Sequence, residues 1–176
     1  VSAADNALMV GDEHAQVRLA NALDAEAARL RVSLLPGLAD IAHRNVSRGL
    51  TDLALFEIGT VFLPESGREY GVAEVPIGTQ RPAPGPLAEL EQSIPHQPWH
   101  VSALVLGDRR PRGVGQTAEP AGLADVLDAA HRIAAVVGVS LAVETGSHPA
   151  LHPGRTAALL VDGEQVGLAG ELLPAV

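Results

Sequence analysis

Two pairs of histidines have a spacing that could serve metal binding. His96 and His100 are four residues apart, as are His148 and His152. On a helix this spacing would place two imidazoles on one face, where they could share a zinc ion. A proline interrupts each pair, and no His-Glu-x-x-His motif occurs in the sequence. Because proline breaks a helix interior, we expect loop or surface histidines and no metal site.

Three arginines that lie close together, Arg109, Arg110 and Arg112, could bind an anion. Charge runs usually remain solvated, so we expect a wet basic loop over residues 107–115. The net charge of −9 should repel a phosphate backbone unless the arginines cluster. A contact of this loop with nucleic acid therefore stays open.

Glu57 is a carboxylate inside the most hydrophobic segment of the chain, between Phe56 and Ile58. An unpaired buried carboxylate is costly or stays protonated, so we expect an arginine partner, either Arg48 or Arg155. The pair could fix the position of the strand, or the carboxylate could have a functional role. The sequence leaves both open.

Asn45 lies seven residues beyond Leu38 and should face inward on its helix. A buried amide has to find hydrogen-bond partners there. It either pins a loop or contacts a partner.

The residue types that are missing exclude several mechanisms. The chain has no lysine and no cysteine, so it offers no P-loop lysine, Schiff base, thiol nucleophile or disulfide. It has no Gly-x-Ser-x-Gly nucleophile motif, and its one Gly-x-Gly lacks the third glycine of a dinucleotide site. No apolar run approaches a membrane span, and the absence of cysteine fits a cytoplasmic protein.

The elements that must position these residues are about six strands and two longer helices. In the first half of the chain, the sequence predicts a strand over 15–20, a short helical piece over 24–30, a helix opened by Ser33 and Pro36 and ended at Gly49, and a strand over 53–63. In the second half, it predicts a strand over 99–106, a helix over about 120–137, a strand over 140–143 and an antiparallel hairpin over 156–168 around Asp162-Gly163. The strand over 53–63 is apolar on both faces and is expected to be central. Residues 64–97 predict a long surface excursion rich in proline and glycine.

These elements favour an α+β fold in a single domain over residues 1–176. The absence of an initiator methionine suggests a piece excised from a longer chain.

Five blocks in fixed order carry a family resemblance. They are Leu30–Leu38, Asn45–Arg48, Leu55–Phe62, His152–Ala157 and Gly167–Pro174. Together they resemble the catalytic-like core module of the β subunit of bacterial phenylalanyl-tRNA synthetase. The chain departs from that family at Asn21-Ala22, where Asn-Pro is usual, and at Leu173, where histidine is common.

The resemblance implies a class II aminoacyl-tRNA synthetase-like core, with an antiparallel β-sheet flanked by helices. It also implies an (αβ)2 heterotetramer whose α subunit binds ATP and Mg²⁺ and attaches phenylalanine to tRNA in the cytoplasm. The β core would be a scaffold against the α subunit, with no cofactor of its own, weak or no direct tRNA contact and no membrane contact.

The residues that match the second signature motif of class II enzymes are those expected of a module without a catalytic role. Active members carry Phe-Arg-x-Glu, whereas this chain has Phe62-Leu63-Pro64-Glu65. Leu63 offers no charge, and Pro64 lacks a backbone N–H. The third motif, Gly-x-Gly-x-x-x-Arg, does not follow the hairpin.

We therefore expect no catalytic, cofactor-binding or metal-binding residue. The residues expected to serve structure or an interface are Asn45, Arg48, Glu57, Arg155 and Glu171. Two alternatives remain: a catalytically dead class II paralogue that regulates another enzyme, and an active ligase that uses other cations.

Overall fold

The computed structural model describes residues 16–25, 28–71 and 81–174, together with Met9 and Gly78. Three helices are described end to end: α1 (Leu35–Val46), α2 (Pro84–Gln92) and α3 (Leu123–Val137). The strands are β1 (Leu53–Thr60), β2 (Trp99–Leu106), β3 (Asp108–Arg110), β4 (Glu119–Pro120), β5 (Ala142–Thr145), β6 (Leu151–Val161) and β7 (Glu164–Leu172). In this part of the chain, no helix has the length and apolar character needed to cross a membrane.

The strands form small sheets. β1 pairs with β2, β3 pairs with β4, and β5, β6 and β7 form a three-stranded sheet in that order. The pairings of β3–β4, β5–β6 and β6–β7 are antiparallel. Three helices together with small antiparallel sheets confirm the α+β class.

The chain divides into two compact units, one of Val1–Leu34 and Ile58–His100, the other of Leu35–Glu57 and Val101–Val176. In the first, Leu34 and Val61 are fully buried. In the second, the core is built largely from alanine and leucine, with Leu38, Ala150 and Ala169 among its most buried residues. A single domain over 1–176 stays a prediction.

Helix α1 forms where the sequence predicts it. Pro36 occupies the first turn, where a missing N–H costs nothing, and Leu38 and Ala42 are buried one turn apart. Asp40 and Arg44 form an exposed ion pair of 3.0 Å. The helix ends at Val46, and Gly49 follows it with a positive φ of 86°.

The two predictions for the first thirty residues need correction. The N–H of Leu19 donates to Ala28 and that of Leu30 to Val17, around a single antiparallel bridge of Arg18 with Arg29. Residues 28–30 are thus extended and not helical, because pairing with 17–19 satisfies their backbone groups. The strand over 15–20 is reduced to this bridge, and residues 15, 26 and 27 lie outside the described part.

The expectation that β1 is covered on both faces is wrong. Leu53, Leu55 and Glu57 are half-buried, whereas Phe56 is 73% exposed and Ile58 59% exposed. Side chains alternate between the faces of a strand, so one face of β1 is covered and the other is open. The strand also ends at Thr60, three residues earlier than expected.

The excursion over 64–97 contains a helix that the sequence did not predict. Pro84 and Pro86 lie in the first turn of α2, where proline is tolerated, and no residue of α2 is buried. Residues 72–77, 79 and 80 of the excursion are outside the described part.

Helix α3 begins at Leu123, because residues 119 and 120 pair as strand β4 instead. The carboxylate of Asp125 accepts the N–H of Gly122 at 2.8 Å, and Gly138 ends the helix with φ 78°.

The predicted hairpin over 156–168 is confirmed and extends further. Asp162 and Gly163 have φ values of 51° and 83°, as a type I′ turn requires. Strand β6 begins earlier than expected, at Leu151, and β5 lies two residues later than expected, at 142–145.

Candidate functional site

Residues Phe62–Glu65, which resemble the second signature motif in sequence only, are held by backbone hydrogen bonds. The N–H of Phe62 donates to Arg31 at 2.9 Å, and that of Leu63 donates to His96 at 2.9 Å. The Leu63 side chain is half-buried. Leu63 therefore presents an aliphatic side chain on a fixed backbone.

Arg68 is the nearest guanidinium after Leu63 in the chain, and it is already engaged. Its Nη1 lies 3.2 Å from Oε1 of Glu65, and its Nη2 donates to the carbonyl of Gln92 at 2.5 Å. The guanidinium also lies 5.5 Å from the ring centroid of Tyr70, whose hydroxyl accepts the N–H of Glu65. Gln92 ends α2, where free carbonyls attract a cation. We call Glu65, Arg68, Tyr70 and Gln92 the Arg68 clasp.

Glu57 lies on β1 close to the first turn of α1. It is half-buried, and its Oε2 lies 3.9 Å from the position of a Cβ built on Gly37. It makes a polar interaction, and its pairing with Arg48 or Arg155 stays a prediction. Arg48 is exposed, because it lies beyond the end of α1.

Asn45 lies in the last turn of α1 and is half-buried. Its Nδ2 donates to the carbonyl of Ile41 at 2.8 Å. Its own carbonyl accepts the N–H groups of Arg48 and Leu50 at 2.9 and 3.1 Å. The backbone carbonyl of Asn45, and not its side-chain amide, thus holds the start of the loop, and both alternatives for the amide stay open.

Arg155 and Glu171 belong to different sequence blocks and meet in the structure. Nη1 of Arg155 lies 2.5 Å from Oε2 of Glu171. The register of β6 against β7 shifts between Leu151 and Thr156, so residues 152–155 form a bulge. Such a bulge redirects side chains without ending the sheet.

Gly170 and Thr156 fix this corner. A Cβ on Gly170 would lie 2.9 Å from Cδ1 of Leu151 and 3.0 Å from the carbonyl oxygen of Arg155, so the close approach requires glycine. Thr156 is buried, and its hydroxyl donates to the carbonyl of His152 at 2.7 Å.

The arginines expected in a wet loop lie partly in a strand. Nη2 of Arg109 contacts Glu119 at 2.8 Å, and Nη1 contacts Asp125 at 3.2 Å. Arg110 contacts the same Glu119 oxygen at 3.1 Å. The pKa of Arg109 is raised, first by Asp125 and then by Glu119. These carboxylates offset the charge of two of the three arginines, while Arg112 is exposed.

Two of the four spaced histidines, His148 and His152, make the same local hydrogen bond. The described residues contain no group of three or more side chains able to hold a metal ion. Nδ1 of His148 accepts the N–H of Ala150 at 3.2 Å, and Nδ1 of His152 accepts that of Gly154 at 3.1 Å. Our sequence reasoning missed these turns, although the repeated His-Pro dipeptide signals them.

His100 has a pKa below the ordinary value of histidine. Partial burial lowers the pKa of His100, and the like charge of His96 lowers it further.

Comparison with known proteins gives one consistent result. The family described as "Phenylalanyl tRNA synthetase beta chain CLM domain" matches residues 1–176. The chain is 50% identical over 163 residues to the phenylalanine–tRNA ligase β subunit of Leifsonia xyli subsp. xyli, covering 91% of this chain and 19% of the relative. It is 43% identical over 159 residues to that of Nocardia farcinica, covering 90% and 19%. It is also 43% identical over 164 residues to that of Thermobifida fusca, covering 91% and 20%.

The chain thus spans about a fifth of the length of these relatives, since the matched region makes up 19% to 20% of each of them. The family match, by contrast, includes every block that carries the resemblance, from residue 30 to residue 174. The chain therefore belongs to the phenylalanyl tRNA synthetase beta chain CLM domain family.

Proposed function

We propose that this chain is a non-catalytic, class II synthetase-like module of a phenylalanine–tRNA ligase β subunit. In this proposal it packs against the α subunit of an (αβ)2 heterotetramer in the cytoplasm. The α subunit binds ATP and Mg²⁺ and attaches phenylalanine to tRNA, and this module touches tRNA weakly or not at all.

Two facts together support the non-catalytic part of the proposal: Leu63 carries no charge, and Arg68 is already bound by other groups. Adenylate formation needs fixed cations around the phosphates of ATP. Leu63 supplies none, and Arg68 is held by the carboxylate of Glu65 and the carbonyl of Gln92. A ligase that recruited Arg68 would have to break both contacts, which argues against the use of Arg68 as the missing cation.

The open face of β1 supports a protein partner. Phe56 and Ile58 are exposed apolar side chains on that face. Exposed apolar groups of this kind are common at protein interfaces. The net charge of −9 fits a protein partner better than a phosphate backbone.

The second candidate is a catalytically dead class II paralogue that regulates another enzyme. It would lack the same motif residues. The bulged corner of β6 and β7 is built from two blocks that carry the family resemblance, His152–Ala157 and Gly167–Pro174. We therefore favour the synthetase subunit.

Isothermal titration with ATP and Mg²⁺ tests the non-catalytic part. We expect no binding to the chain, and binding to a phenylalanine–tRNA ligase α subunit used as the positive control. Tight binding to the chain would overturn the proposal, and a Leu63→Ala variant would then show whether the site lies at this motif.

Co-purification tests the partner. We expect the tagged chain, co-expressed with the α subunit, to retain it, and Phe56→Glu to weaken the retention. Val166→Glu is the matched control, because Val166 is also an exposed apolar residue, 62% exposed against 73% for Phe56, but lies on β7. Retention of a different enzyme in place of the α subunit would support the regulatory alternative.

A further inference from the structure

The turn that joins β6 to β7 is an Asp-Gly pair, and this pair has a chemical reactivity of its own. Asp162-Gly163 is the only Asp-Gly dipeptide in the sequence. In such a pair the backbone nitrogen of the glycine can attack the side-chain carboxyl carbon of the aspartate, which closes a succinimide ring. Glycine has no Cβ to obstruct the attack, so its nitrogen is more accessible than that of any other residue.

The surroundings of the turn do not shield it from water. Asp162 and Gly163 are both exposed. No atom lies within 4 Å of a Cβ built on Gly163. Water, or an enzyme that acts on the modified turn, can therefore reach both residues.

The folded turn nevertheless holds the pair in an unreactive conformation. Asp162 is the one non-glycine residue with a positive φ in the described part of the chain, at 51°, and Gly163 follows at 83°. The pairing of Val161 with Glu164 closes the two residues into a type I′ turn. Ring closure requires the peptide between Asp162 and Gly163 to rotate until the glycine nitrogen eclipses Cβ of Asp162. The ψ of a type I′ turn does not allow that rotation, so the turn has to open first.

We propose that Asp162-Gly163 is a site of isoaspartate formation that is controlled by the folding of the hairpin. When the turn opens, the Gly163 nitrogen forms a bond to Cγ of Asp162. The OH of the protonated carboxyl group and the proton of the Gly163 amide leave together as water. Water then adds to one of the two ring carbonyls, which gives either aspartate or isoaspartate. One water leaves and one returns, so the reaction needs no oxidant and no cofactor.

The product changes the tip of the hairpin. Isoaspartate adds one carbon to the backbone of the loop, so the two-residue type I′ turn cannot re-form. The pairs of Val161 with Glu164 and of Leu160 with Gln165 lie on the tip side of a shift in the β6–β7 register. We expect these two pairs to be lost and the rest of the ladder to keep its register, because the bulge separates it from the tip.

Incubation of the chain at neutral pH in water enriched in heavy oxygen tests the proposal. Each passage through the succinimide places one heavy oxygen atom on residue 162, and fragment-ion mass spectrometry locates it. We expect labelling at Asp162 and none at Asp108 or Asp128. The label should enter at least about tenfold faster in concentrated urea than in buffer, which corresponds to about 1.4 kcal/mol for opening the turn. Equal rates in the two conditions, or no label at Asp162 in urea, would overturn the proposal.

Two proline substitutions separate opening of the turn from other changes. Glu164→Pro keeps the Asp-Gly pair but removes an N–H from the residue pair that closes the turn. We expect its labelling in buffer to rise toward the rate in urea. Glu144→Pro is the matched control, because Glu144 pairs with Ala158 on the other side of β6, and it should leave the labelling of Asp162 unchanged. The same rate in both variants would contradict control by the turn.

An isoaspartyl methyltransferase gives an independent measurement of the product. This enzyme transfers a methyl group from S-adenosylmethionine to the free carboxylate of isoaspartate. Chain that has been incubated in urea should accept more methyl groups than fresh chain. Asp162→Glu should lose this increase, because a glutamate would have to close a larger ring. An undiminished increase in Asp162→Glu would place the reaction elsewhere and overturn the assignment.

Discussion

Arg155 and Glu171 form an ion pair of 2.5 Å that joins the bulge of β6 to strand β7. The pair brings together two sequence blocks that are separated by the hairpin. Both residues were expected to serve structure or an interface, and their contact gives each a structural role.

Removing this ion pair should have a small effect on stability. The two side chains are 53% and 37% exposed, and exposed pairs contribute about 0–1 kcal/mol. We expect a coupling energy in that range from a double-mutant cycle of Arg155→Ala and Glu171→Ala, measured by urea unfolding. A coupling well above about 2 kcal/mol would mean that the pair is more shielded from water than its exposure indicates.

Gly107→Ala should destabilise the protein strongly. Gly107 has φ 75°, and a Cβ there would collide with the carbonyl oxygen of Thr51 and with Oδ1 of Asp52. That same Oδ1 accepts the N–H of Asp108 at 2.8 Å, so the backbone cannot move freely. We expect a loss of more than about 2 kcal/mol in the free energy of unfolding.

Gly115→Ala is the matched control for that substitution. Gly115 has a similar φ of 73°, but nothing lies within 4 Å of its Cβ position. It should cost only the conformational strain, about 1 kcal/mol. Equal losses in the two variants would show that the collision at Gly107 is relieved by small shifts.

Arg68→Leu should make the local unfolding of helix α2 more frequent. No residue of α2 is buried, and Arg68 donates to the carbonyl of its last residue, Gln92. We expect faster amide exchange over residues 84–92, measured by mass spectrometry. Arg81→Leu, an exposed arginine before the helix, is the control and should leave exchange unchanged. Unchanged exchange in Arg68→Leu would show that the clasp does not stabilise α2.

Acidification should destabilise the protein in part through His100. The pKa of His100 is lowered in the folded state, by partial burial first and by His96 second. Below its ordinary pKa of about 6.5, the unfolded chain therefore binds more protons at this site than the folded one. Stability falls as the pH drops through that value and is unaffected by His100 well above it.

Urea unfolding at about pH 7.5 and about pH 5.5 measures this effect. His100→Gln should reduce the difference between the two pH values, and His96→Gln should reduce it less, because it removes the smaller cause. An undiminished difference in His100→Gln would assign the acid sensitivity to other groups.

Helix α1 and the Asp162-Gly163 turn could be predicted from the sequence, because neighbouring residues determine both of them. Helix α1 has its proline in the first turn and its apolar residues one turn apart, and the Asp162-Gly163 turn needs only two positive φ values. Neither depends on distant parts of the chain, so both could be predicted.

Other features depend on what lies across the fold and could not be predicted. The apolar residues of β1 fit a strand that is covered on one face as well as a strand that is covered on both. Only the structure shows that Phe56 is exposed. The arginines at 109 and 110 meet Glu119 and Asp125 through a strand pairing of two residues, too short to leave a periodic pattern. The ion pair of Arg155 with Glu171 needs the register of β6 and β7.

The backbone bonds near α2 have a practical consequence for engineering. The N–H of Gly71 donates to the carbonyl of Ser93, and the N–H of Leu63 to that of His96, so the chain is fastened on both sides of the stretch between. Lengthening a stretch with fixed ends is inexpensive, about 0.6 kcal/mol for each doubling. A tag or fluorophore inserted into the loop that these two bonds close would therefore cost about this much in folding free energy.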